Sequence, residues 1–151
     1  MRRLAAGLAL AVTCGTALAG CGEDPDRFGA YCEAVADEQS ALTDALSLGG
    51  APGLLAALPS FERLLEAAPR DIEDEWTIVV TRIDVLRDAL EDAGVDPASY
   101  DPVDPPEGVT DEQQEAIAAG ASSVNTEQVR EALDGVQQQA RDVCGTSLTL
   151  G

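Results

Sequence analysis

Apolar residues recur along this chain at helical spacing, and the clearest run is Ile72, Trp76, Val79, Ile83, Leu86 and Leu90. Steps of four and three residues put all six on one seam of a helix. Pro69 opens this element and Gly94 closes it. Asp71, Glu73, Asp74 and Glu75 crowd its first turns, where free N–H groups and the helix dipole favour negative charge. That cluster therefore reads as a helix start and not as a metal site. Val129, Leu133, Val136, Ala140 and Val143 repeat the seam in a last helix capped by Asn125 or Thr126. Phe28, Tyr31, Cys32, Val35, Leu42 and Leu46 predict a first helix over 26–47, stopped by Gly49-Gly50.

Between these lie shorter elements. Pro52 sets a short turn, and Pro59 suits the first position of a helix through Phe61, Leu64 and Leu65. Prolines 97, 102, 105 and 106 make residues 94–109 a loop. Thr110-Asp111-Glu112-Gln113 has the form of a capping box, followed by an Ala-rich helix with Ile117 that runs to about Ala121. Its small residues predict close packing against a neighbour. No stretch alternates as a strand would. The expected fold is all-α, a small antiparallel helical bundle of about four main helices.

Residues 1–20 stand apart. Arg2 and Arg3 precede a short apolar run from Leu4 to Leu18, interrupted by Thr13, Cys14, Gly15 and Thr16. The run is shorter than the roughly 20 apolar residues of a spanning helix, and its order follows a secretory signal. Leu18-Ala19-Gly20-Cys21 closes it. This stretch resembles the lipobox of bacterial lipoproteins, and the chain as a whole resembles the small helical lipoproteins of actinobacteria. The lipobox resemblance implies a diacylglyceryl group on Cys21 and cleavage that makes Cys21 the new N-terminus. Cys14 fits less well, because Thr13 stands where lipoboxes carry a small residue. The resemblance also implies a protein tethered to the outer side of the cell membrane. It transfers no catalytic or binding residue. The organisation expected is a signal over 1–20, the lipidated cysteine and a short tether over 21–26, a helical domain over 27–147 and a tail over 148–151. Five tether residues reach at most about 18 Å, so the domain is expected close to the bilayer.

Export permits oxidation. With Cys21 lipidated and Cys14 removed, Cys32 and Cys144 remain as one pair, and a disulfide between first and last helix is expected. The leader holds two arginines and no acid, so the rest carries 28 acidic residues against 7 arginines, a net charge near −21. Every basic residue is arginine, and there is neither lysine nor histidine. Such a balance excludes nucleic acid as a partner, since phosphates demand basic contacts. It also argues against direct binding to anionic headgroups.

Candidate chemistry is sparse. Without histidine, no His-based general base or nucleophile activation exists. Asp96, Asp101, Asp104 and Glu107 surround Tyr100 in the loop, but their spacing does not match a calcium loop. No cofactor, metal or catalytic residue is assigned. The first functional expectation is a non-enzymatic, membrane-proximal binding or scaffold protein, held to the membrane by its lipid and meeting a protein partner there. The alternative is a carrier of a small apolar ligand between helices, for which an open apolar cavity would speak. A third is a hydrolase built on close, buried carboxylates.

Overall fold

A computed structural model describes residues 25–97, 100–101 and 103–148. Cys21 and the leader lie outside the described residues. Among the described residues there are five helices: α1 Pro25–Leu46, α2 Gly50–Ala67, α3 Glu73–Asp92, α4 Asp111–Ser123 and α5 Glu127–Cys144. Among the described residues there is no strand. The all-α expectation holds, with five helices in place of about four.

The extra helical length is α2. Gly49 and Gly50, both at positive φ, turn the chain sharply after α1. The helix then starts at once. Pro52 falls in its first turn, where a missing N–H costs nothing. Pro59 is not a helix start but lies inside the helix. Burial of Ala57, Leu58, Phe61 and Leu64 on either side of it outweighs the hydrogen bond that proline cannot donate. Pro59 itself is exposed. Pro59→Ala is therefore expected to raise the unfolding free energy by about 1–3 kcal/mol, measured by urea unfolding. An unchanged or lower value would show that the proline is needed where it stands.

Two other boundaries moved. Pro69 opens a turn, with Ile72 N–H donating to the Pro69 carbonyl at 3.0 Å, and α3 begins only at Glu73. Ala68, ahead of the proline, is extended, as a pre-proline residue prefers. In α5, Val143 is 45% exposed and leaves the seam. Val129, Ala132, Val136 and Ala140 are buried instead, and Cys144 continues their face. The real helical period is 3.6 residues, so a strict 3–4 alternation drifts off the face near its end.

The main core lies among α1, α2, α3 and α5, with Trp76 at its centre. Trp76 Nε1–H donates to Tyr31 Oη at 3.0 Å, and its ring lies 5.8 Å from that of Phe61. Burial holds the Tyr31 hydroxyl neutral and raises its pKa above 10.0, against the hydrogen bond from Trp76. Cys32 and Cys144 are joined by a disulfide, Cα atoms 5.0 Å apart, across a sequence separation of 112. It ties α1 to α5 as expected.

Arg63 on α2 grips Glu38 on α1 with two hydrogen bonds, at 2.5 and 2.7 Å. The guanidinium holds the Glu38 carboxyl below its usual 4.5. A depressed carboxyl contributes stability above its unfolded value and loses it as pH falls through the folded one. Glu38→Gln should therefore lower the urea midpoint at neutral pH and match wild type at pH low enough to protonate Glu38. A difference that persists unchanged into strong acid would assign the effect to packing.

Candidate functional site

α4 packs against α3 and stands outside the main core. Gly120 makes this approach possible. A Cβ there would meet Leu86 Cα at 2.9 Å, inside the closest distance real Cβ atoms adopt. The two backbones therefore touch at Gly120. A smaller apolar cluster of Leu86, Leu90, Val95 and Ile117 forms around this contact.

Beside the contact a gap remains, and small side chains are among those that line it. Ala118 and Ala121 come from α4 and Ala51 and Pro52 from the start of α2. The result is an open cavity of about 540 Å³, within the range of roughly 300–1,000 Å³ usual for small-molecule sites. Leu86, Leu90 and Ile117, all buried, form its apolar wall. Its polar groups belong to Tyr100, Asp111, Gln114 and Glu115. Asp111 and Glu115 are exposed, while Gln114 and Tyr100 are half-buried. Gln114 Nε2 donates to the Val109 carbonyl at 3.4 Å, tying the loop end to α4.

The α4 N-terminus is closed by its own side chains. Thr110 Oγ1 accepts from Gln113 N–H at 3.2 Å, and Gln113 Oε1 accepts from Thr110 N–H at 2.9 Å. This is the reciprocal cap the sequence spells out. Gln113 also donates to the Asp92 carbonyl at the end of α3.

Of the expected site residues, Cys32 and Cys144 come together and Cys21 lies outside the described residues. Both paired cysteines are on the α1–α5 side and neither lines the cavity. Leu86 and Leu90 were legible as seam residues and Ile117 as the apolar residue of the Ala-rich helix, but none as a cavity wall. The Ala-rich stretch of α4 does two jobs: Gly120 gives the expected close packing, and Ala118 and Ala121 leave space. The one available signal was an Ala-rich helix whose small residues outnumber those a single close contact requires. Comparison with protein-family models, curated proteins and solved structures finds no match to this chain. Among the described residues, no helix is long and apolar enough to cross a membrane.

Proposed function

We propose that this chain is a lipid-anchored extracytoplasmic protein that binds a small apolar ligand in the cavity between α2, α3 and α4, without catalysing a reaction. The observation that carries this is the cavity itself, open and walled by Leu86, Leu90 and Ile117. A well-packed interior leaves few voids larger than a water molecule, so apolar walls around 540 Å³ suit an apolar occupant. The anchor is proposed on Cys21, from the Leu18-Ala19-Gly20-Cys21 stretch. The short connections 47–49, 68–72 and 124–126 suit antiparallel neighbours, and an antiparallel succession is part of the same proposal.

The anchor and the cavity are then far apart. The tether leads into Pro25, and α1 carries the chain about 30 Å before Leu46. Ala51 and Pro52, only a few residues on, already line the cavity. A ligand would be held at the end of α1 away from the tether, where a membrane-proximal protein partner can deliver or receive it.

The test uses the full chain with Cys21→Ser, purified without detergent and titrated with a neutral naphthylamine dye that brightens in apolar surroundings. Ala121→Phe and Ala118→Trp place a large ring in the cavity, and each should weaken dye binding about tenfold or more with helix content unchanged. Wild-type protein that does not brighten the dye, or filled variants that bind it as wild type does, would refute the proposal.

A further inference from the structure

We propose that the cavity selects a cationic amphiphile, an ammonium group on a short apolar body, a reading that rests on the ligand-binding role above. The walls alone do not choose a head group; the mouth does. Asp111 and Glu115 stand one turn apart on α4, at the i, i+4 spacing that places both on one face. Among the described residues they are the only formally charged ones lining the cavity, and both are negative. Tyr100 lines the same cavity, and the face of a tyrosine attracts an ammonium group.

Anions are disfavoured on three grounds. Among the described residues no arginine lines the cavity. Arg87, one residue after the wall residue Leu86, is engaged by Glu62, Asp84, Asp88 and Glu91. The N-terminus of α4, otherwise an anion site, is occupied by the Thr110–Gln113 cap and by its own first-turn acids, Asp111 and Glu112. The formal net charge of −19 adds a field that draws cations toward the surface and repels carboxylates. A neutral ligand would fit the walls but leave both carboxylates without a counter-charge.

Decyltrimethylammonium, decanol and decanoate share one chain and differ only at the head. Each is titrated below its micellar concentration against the dye-loaded full chain carrying Cys21→Ser, at low and at high ionic strength. The ammonium compound should bind about tenfold more tightly than decanol, and decanoate more weakly than decanol. In Asp111→Asn/Glu115→Gln the ammonium advantage should fall to about twofold or less while decanol affinity holds, and high salt should reduce it in wild type. Because Asp111 opens α4, Glu115→Gln alone is the second variant; it should lose part of the advantage with decanol binding unchanged. Equal binding of the ammonium and decanol to wild type would overturn the selectivity and leave the cavity as a ligand site. So would an ammonium advantage that survives in both variants. If neither the dye nor any of the three compounds binds, the ligand-binding role fails as well.

Discussion

Replacing Cys32 and Cys144 with alanine is expected to lower the unfolding free energy by about 4–5 kcal/mol. The bridge spans 112 residues, and the chain-entropy model assigns roughly 4.7 kcal/mol to a loop of about that length. Domains of this size have a total stability of about 5–15 kcal/mol. The bridge thus accounts for about 30% or more of it. The location sharpens the effect. Cys32 lies near the start of α1, where the chain leaves its proposed tether, and Cys144 is the last residue of α5. Without the bond, the pairing of α1 with α5 rests on Tyr31, Val35, Val136 and Ala140, all buried, and on Gln39 donating to the Ser147 carbonyl at 2.9 Å. Urea unfolding followed by far-UV circular dichroism, with and without the pair, measures the difference. A loss below about 1 kcal/mol would mean that the reduced chain already holds its ends together.

Trp76→Ala is expected to cost about 3–5 kcal/mol, the range for removing a fully buried large aromatic. Trp76 is 0% exposed and sits between Phe61 and Tyr31. Its loss opens a cavity among α1, α2 and α3 and leaves the Tyr31 hydroxyl without the indole donor. Trp76→Phe keeps a ring and removes the donor, and should cost about 1–2 kcal/mol. Circular dichroism must follow both, since Trp76 is the only tryptophan. Equal costs for Ala and Phe would show that the hydrogen bond, and not the packing, dominates. Neither substitution touches the cavity wall, so the surviving folded fraction should bind the dye as wild type does.

Helical seams were readable because each buried face repeats along its own element. Ile72, Trp76, Val79, Ile83, Leu86 and Leu90 are buried, and the Thr110–Gln113 cap is a local pattern of four residues that formed as written. The disulfide was readable through counting: on the expectation of export and a lipidated Cys21, a single pair is left. The proline positions were harder. Pro59 looks like a helix start because its missing N–H is harmless there, yet the same residue is tolerated mid-helix when its neighbours are buried. That choice depends on what α1 and α3 offer to Phe61 and Leu64, which no local window contains.

The candidate site was the least legible part. Its residues come from α2, α3, α4 and the loop at Tyr100, separated by up to 70 positions between Ala51 and Ala121. Each taken alone is unremarked: leucines on a seam, alanines on a helix, carboxylates on a helix surface. By itself the sequence determined the helical class, the α4 cap, the main apolar seam and the cysteine pair, because each follows from spacing within one element or from the chemistry of the residue type. Only the tertiary structure decided that Gly120 brings α4 against Leu86 and that the alanines beside it leave 540 Å³ unfilled. A cavity is the space between elements, set by their separation and crossing and by the side chains that meet across it.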